Sequence, residues 1–166
     1  MPASDYMRAL RDRVGTMRVL SPGVAVVIYN DSGEVLLQQR SDDGKWGLPG
    51  GALELGEEPA DAAVREVWEE TGLQVVPVRL VGIYGGQDGF HTYPSGDEMA
   101  FIAMLFVCQV VGGQIGDHND GESLDLRYFS PDQLPDALFS RHQLFIQDAR
   151  NNQVSAHFRY SGELQK

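Results

Sequence analysis

The chain has 166 residues, of which 42% are hydrophobic and 22% charged. These are ordinary globular values for one domain, and they exclude wholesale disorder. Thirteen bases against 24 acids give a formal net charge of −11, and no Lys/Arg run concentrates positive charge, so a nucleic-acid polyanion is a poor partner and none is expected. A single cysteine, Cys108, rules out an internal disulfide and a four-cysteine zinc site. No apolar run approaches the ~20 residues that span a bilayer, and the first residues lack the apolar stretch of a secretory signal. The expectation is a soluble, cytoplasmic domain over 1–166, with an N-terminal extension over 1–20 and a polar, loosely held tail over 151–166.

Tyr6, Met7, Leu10 and Val14 recur at helical spacing after Ser4 or Asp5, which predicts a short helix over 3–14. Residues 22–29 are β-branched and apolar, as in a buried strand. Asn30-Asp31-Ser32-Gly33 has turn chemistry, and a second strand follows from Glu34 to Gln39, predicting a hairpin. Residues 41–51 are rich in glycine and turns. The pattern then becomes helical over 58–71, with Gly72 closing the helix as its C-terminal cap. A strand interrupted by Pro77 covers 74–84, a loop 85–98, and an apolar strand 99–111, which belongs at the centre of a sheet. After a loop over 112–122 comes a short strand, Leu124 to Phe129. A small helix starts at Ser130-Pro131-Asp132, and a last helix covers 139–150. Strands and helices in this order predict an α+β fold with a mixed sheet.

The helix over 58–71 carries two messages. Ala60, Ala63, Val64, Val67 and Thr71 form a stripe that must face the core. Glu66, Glu69 and Glu70 stand beside it at i, i+3 and i+4. Like charges at that spacing cost a few tenths of a kcal/mol, and these lie toward the negative end of the helix dipole. Hard divalent cations such as Mg²⁺ or Mn²⁺ reverse that cost, since they prefer carboxylate oxygens. The alternative is a solvated acidic face on an acidic protein. Arg65 fits both, as partial counter-ion or as a group orienting a carboxylate. Before the helix, Trp46-Gly47-Leu48-Pro49-Gly50-Gly51 lets backbone come close to something.

Taken together, residues 51–73 resemble the signature of the Nudix hydrolase family. That signature is G, five residues, E, seven residues, then R-E-U-x-E-E-x-G-U, with U a bulky aliphatic. Gly51, Glu57, Arg65, Glu66, Val67, Glu69, Glu70, Gly72 and Leu73 fill every fixed position. The flanks are similar too: LLQQR and WGLPGG before the motif, and YFSPDQLP near the end.

The resemblance implies an α/β/α sandwich and a Mg²⁺- or Mn²⁺-dependent hydrolase. Such an enzyme cleaves a pyrophosphate bond in a nucleoside diphosphate linked to another moiety: a nucleotide sugar, an ADP-ribose-like compound or a nucleoside triphosphate. It implies Glu66, Glu69 and Glu70 as metal ligands, with the Gly50 carbonyl beside them. Arg65 and Glu57 would hold loop and helix in register, with Gly51 and Gly72 as structural glycines of the motif. Glu66 or a nearby acid, Glu69 included, would help deprotonate the attacking water. Many relatives place one more acid on the loop before the penultimate strand, and Glu122 is the first candidate, with Asp125 and Asp120 as alternatives.

Tyr84, Phe90 and Tyr93, in and beside the loop over 85–98, could stack on a base; packing under the loop is the competing use of such rings. His91 and His118 are expected to be surface histidines, and Cys108 inert core. Homodimers are frequent among similar proteins. A Nudix-fold domain that binds a nucleotide and regulates without hydrolysis is the competing reading; it goes with a broken motif, and this motif is intact.

Overall fold

The computed structural model describes residues 5–93, 95–118, 121–151 and 153–160. In chain order they form α1 (Asp5–Val14), β1 (Val19–Ile28), β2 (Val35–Arg40), β3 (Trp46–Gly47), α2 (Pro59–Thr71), β4 (Leu73–Tyr84), a 3₁₀ turn (Gln87–Gly89), β5 (Phe90–Thr92), β6 (Glu98–Gly113), β7 (Ser123–Phe129) and α3 (Ser140–Arg150). Ser4, weighed as a cap for α1, lies outside the described residues.

One sheet is mixed. Its order is β1-β6-β4, with β1 parallel to β6, β4 antiparallel to it, and β5 pairing the start of β6. The apolar strand over 99–111 is thus central, as its composition predicts. A second, antiparallel sheet runs β3-β2-β7.

Alternation along β1 explains the layers. Ala25 and Val27 point into a core shared with Phe145, Ile146 and Ala149 of α3. Val24, Val26 and Ile28 point into a second core with Ala62, Ala63 and Val67 of α2. Both faces of the strand are buried between helices, the α/β/α sandwich of an α+β fold. Cys108 lies in the α2 core, and burial pushes its thiol up to about 12, so it is inert.

Four expectations are corrected. The turn at 30–33 forms, with Asn30 Oδ1 accepting from the backbone of Ser32 and Glu34, but it does not close a hairpin. One bridge, Tyr29 to Val35, joins the two strands before they part into different sheets. The reason is that both edges of β1 are taken. One pairs β6; on the other, Val24 and Val26 donate to the carbonyls of Gly51 and Pro49, and Leu53 donates to Pro22. Next, Ser130-Pro131-Asp132 makes a turn closed by Gln133 N–H to the Ser130 carbonyl, with no helix. The loop over 85–98 contains the 3₁₀ turn and β5, because β6 is long enough to pair a third strand. Finally, the described part of the tail is anchored: His157 N–H donates to the Val81 carbonyl, Ile83 N–H donates to the His157 carbonyl, and the His157 ring stacks on Tyr84.

Pro77 sits in β4 at a bulge rather than ending it, since Pro77 pairs Cys108 while Arg79 pairs Val107. Arg11 ties α1 to the sheet by donating to the carbonyls of Met17 and Glu98, at 2.7 and 2.6 Å. No helix among the described residues is long and apolar enough to cross a membrane.

Candidate active site

The helix α2 starts at Pro59, whose missing N–H costs nothing in a first turn, and ends where Gly72 takes φ +77° and its N–H caps the Trp68 carbonyl. Its buried face is Ala62, Ala63, Glu66, Val67, Glu70 and Thr71. The expected stripe is therefore rotated: Ala60 and Val64 are half-buried, and two glutamates lie within the buried face instead of beside it. Glu70 is 1% exposed and Glu66 7%. Carboxylates almost never go so deep without a dedicated partner.

Glu70 has such partners. Gly50 N–H donates to Oε2 at 2.7 Å, and the Gln38 amide makes a second hydrogen bond. Gln38 is itself fixed by the Ser123 hydroxyl. Burial still raises the Glu70 carboxyl well above the ordinary range, and the neighbouring Glu66 and Glu122 push in the same direction.

Glu66 packs against the backbone of Gly51. A Cβ on Gly51 would stand 2.5 Å from Glu66 Oε1, so a larger residue there would displace the carboxylate. Gly50 takes φ +140°, and a Cβ there would strike the Val24 carbonyl at 2.2 Å. The two glycines let the loop zip onto β1 and still touch both carboxylates. Burial pushes Glu66 up to about 7, against the pull of Arg65, with Glu69 and Glu122 adding to the rise.

Arg65 binds the motif together. It donates to both oxygens of Glu57 at 2.8 and 2.9 Å, to the Ala52 carbonyl at 3.1 Å, to Glu66 Oε1 at 2.9 Å and to Glu69 Oε2 at 3.1 Å. The fork geometry of a guanidinium suits this; a lysine has no equivalent. Glu57 in turn accepts from Glu54 N–H, and the Arg65 guanidinium holds its carboxyl below the usual range.

Glu69 is the most exposed of the three helix glutamates, and its side chain leans on Arg65. Among the described residues no three acids form a ready-made metal cage, because Arg65 draws Glu66 and Glu69 to itself while Gly50 and Gln38 hold Glu70. The donor chemistry nevertheless fits a hard cation. Two buried carboxylates are raised by burial and by each other, and a divalent ion relieves both effects.

Of the candidate acids outside the motif, Glu122 lies where its charge is felt at both Glu66 and Glu70. Its carbonyl accepts from Ser41 N–H, which pins the start of β7 beside the end of β2. With Gln38, Arg40, Ser41, Asp42 and Glu70 it lines a small hollow. Asp125 pairs with Arg127, and Asp120 lies outside the described residues.

Across the Gly50–Gly51 backbone from the glutamates opens a cavity of about 280 Å³. Ala25, Leu48, Phe101, Phe139 and Phe145 give it apolar walls, while Arg40, Arg141 and His142 give it polar points. Phe90 and Tyr93 line it, and Phe90 carries the Arg18 guanidinium over its ring at 4.2 Å. Tyr84 does not line it. Its ring is 5% exposed, packed between Phe145 and His157, and its hydroxyl donates to Asp148. With both faces covered it has none to offer a base, so its expected role in stacking is corrected to core packing.

His91 is also corrected. It lines the cavity edge-on to Tyr93, and burial lowers its pKa. His118 is exposed, stacked on Trp68, with Nδ1 3.0 Å from the Glu69 carbonyl.

Sequence reasoning missed Gln38, Arg40, Arg141 and His142. Gln38 follows the apolar run Val35-Leu36-Leu37 and precedes Gln39 and Arg40, so nothing local sets it apart as buried. Nothing local marks Arg141 or His142, which the fold brings in from α3.

Comparison with known proteins places these features in a family. A sequence profile described as the NUDIX domain matches residues 19–149. A "Putative 8-oxo-dGTP diphosphatase" of Bacillus subtilis (strain 168) is 34% identical over 133 residues, covering 78% of this chain and 79% of the relative. An "ADP-ribose pyrophosphatase" of Methanocaldococcus jannaschii is 33% identical over 133 residues, covering 78% and 73%. Among solved structures, the MutT protein from Methanosarcina mazei Go1 superposes with a TM-score of 0.65 at 26% identity, covering 82% of this chain and 98% of that one.

Proposed function

The chain belongs to the NUDIX domain family and is a Nudix hydrolase, and on that premise we propose that it cleaves, with Mg²⁺ or Mn²⁺, a pyrophosphate bond in a nucleoside diphosphate linked to another moiety. The single observation that carries this reading is the pair of buried carboxylates, Glu66 and Glu70, held against Gly51 and Gly50 on one side of a loop whose other side faces an apolar cavity. Anhydride oxygens belong at the acids, and the nucleoside belongs in the cavity.

Glu66, Glu69, Glu70 and the Gly50 carbonyl would hold the cations. When bound, these supply charge neutralisation at the phosphoryl oxygens and a more acidic water. The remaining work falls to the chain. Arg65 occupies Glu66 Oε1, so Oε2 is the oxygen placed to accept the proton of the attacking water. Burial holds this carboxyl above the ordinary range in the metal-free chain, and its ionised, proton-accepting form would be favoured beside the positive charge of bound cations. Glu122 shares that neighbourhood and is the second candidate for proton transfer. Gln38 and Gly50 N–H fix Glu70, so that it need not reorganise during turnover. Phe90 and Tyr93 bound the nucleoside cavity. The net charge of −11 suits a small metal-complexed anion better than a nucleic-acid polyanion.

The relatives act, by their names, on substrates as different as 8-oxo-dGTP and ADP-ribose. A panel of nucleoside triphosphates, nucleotide sugars and ADP-ribose, incubated with Mg²⁺ and then Mn²⁺ and scored for released phosphate products, tests the proposal. Metal-dependent release from at least one class is expected. No product with either metal, together with a Tm indifferent to metal and nucleotide, would refute it.

A further inference from the structure

His142 is the third residue of α3 and lies at the cavity wall, stacked on Phe145 at 5.5 Å and tilted against Phe139 at 5.6 Å. Leu48 N–H donates to its Nδ1 at 2.8 Å. A backbone N–H can only donate, so Nδ1 carries no proton and the neutral ring holds its hydrogen on Nε2. Burial, with Arg141 and Arg40 nearby, pushes the ring down to about 3, which keeps it neutral at working pH. The ring is also wedged: a Cβ on Gly47 would stand 3.1 Å from Nδ1. Nε2 is on the opposite edge of the imidazole, and among the described residues nothing pairs with it.

A histidine at a binding site can usually serve donor or acceptor by changing tautomer. This one cannot. Moving the proton to Nδ1 would set it against Leu48 N–H and strand a backbone donor. The neighbouring guanidinium repeats the polarity. Arg141 donates to the Tyr84 carbonyl and lies over Phe145 at 5.3 Å, and an arginine has no acceptor to offer. The carboxylate of Asp88, also on the cavity wall, is mostly exposed and shares one oxygen, Oδ2, with Arg159.

We propose that His142 selects the nucleobase, its Nε2–H donating to an acceptor on the base edge, so that the cavity takes keto bases (a 6-oxopurine or a 4-oxopyrimidine) in preference to their amino counterparts. The inference rests on reading the cavity as the nucleoside site. At the exocyclic position an amino base turns N–H toward N–H, and a donor held there disfavours the partner that cannot accept at that position.

Matched substrates test it. ITP against ATP and UTP against CTP each differ by a keto-for-amino exchange and by the proton it places on the adjacent ring nitrogen. The wild-type enzyme is expected to favour the keto member by about tenfold or more in kcat/KM. His142→Gln, whose amide can accept from Leu48 and donate into the cavity, is expected to keep the preference. His142→Phe is expected to lose it, with the ratio falling to within about twofold. Independently of turnover, ¹⁵N NMR of the metal-free wild-type protein should show Nε2 protonated and Nδ1 bare, and the Nε2 resonance should move on adding IMP but not AMP.

Equal kcat/KM within both pairs, a proton on Nδ1, or an Nε2 signal indifferent to IMP would each overturn the inference while leaving hydrolysis intact. Absence of any anhydride cleavage, with the IMP-specific shift present, would instead strike the hydrolase reading and leave the role of His142 standing.

Discussion

Raising the pH of the metal-free protein should weaken it, and the buried carboxyls of Glu66 and Glu70 are the causes. An unfolded Glu titrates near 4.5, whereas burial holds Glu66 at about 7 in the folded chain. Between these values the folded state binds more protons than the unfolded one, so stability falls as pH rises and levels off above the window. The gap converts, at 1.36 kcal/mol per pH unit, to roughly 3 kcal/mol. Urea unfolding in the presence of a chelator at pH ~5 and pH ~8, read by the fluorescence of Trp46 and Trp68, measures it. Glu66→Gln cannot ionise, and its loss of stability between the two pH values should be smaller by about that amount. Glu70 shifts in the same direction, and because Glu66 is one of the groups that raise it, the Gln variant also relaxes Glu70, so the difference between the two proteins reads Glu66 together with its coupling to Glu70. Adding Mg²⁺ at the higher pH should restore the wild type more than the variant. Parallel curves for the two proteins would refute the claim that this carboxylate is ionised at a cost.

Glu70→Gln is expected to reduce kcat by about a hundredfold or more with little loss of stability, since an amide still accepts from Gly50 and no charge is buried; unchanged turnover counts against its place at the site. Arg65→Ala removes partners from three carboxylates and a carbonyl, and chemical denaturation should show a loss of about 2–3 kcal/mol together with loss of activity. Gly50→Ala drives a Cβ into the Val24 carbonyl, and a drop of about 3 kcal/mol or more should appear as a lowered Tm. Tyr84→Phe loses one hydrogen bond to Asp148, worth about 1 kcal/mol, and should leave KM unchanged, whereas Tyr93→Ala should raise KM.

What the chain order disclosed and what it concealed separate by physical distance. The helix over 58–71 and its Gly72 cap are local, written in short-range spacing and one left-handed glycine, and they stand where expected. The central position of residues 99–111 followed from an apolar run that only a buried strand can use. The parting of β1 from β2 was not legible, because it depends on which segments occupy the edges of β1, and one of these is a loop some 25 residues away. Glu66 and Glu70 could be seen as a cluster, but not as members of the buried face. Apolar periodicity ranks a glutamate as exposed unless its partners are known, and Gln38, Gly50 and Arg65 approach from three segments. Tyr84 looked like a stacking ring because it is aromatic and precedes a loop; the cover on both its faces comes from α3 and His157. His142 had no signature at all, its meaning resting on one amide proton from the other half of the molecule.

The loop that carries Gly50 and Gly51 also seals the outer margin of a long, valine-rich strand, through the amides of Val24 and Val26. Left bare, a segment such as Val24-Ala25-Val26-Val27-Ile28 is a template for intermolecular strand addition. Solubility and turnover therefore share one seam. Substitutions that loosen the loop should show up first as insoluble protein at expression, and a screen for soluble yield would enrich for catalytic competence without ever measuring it.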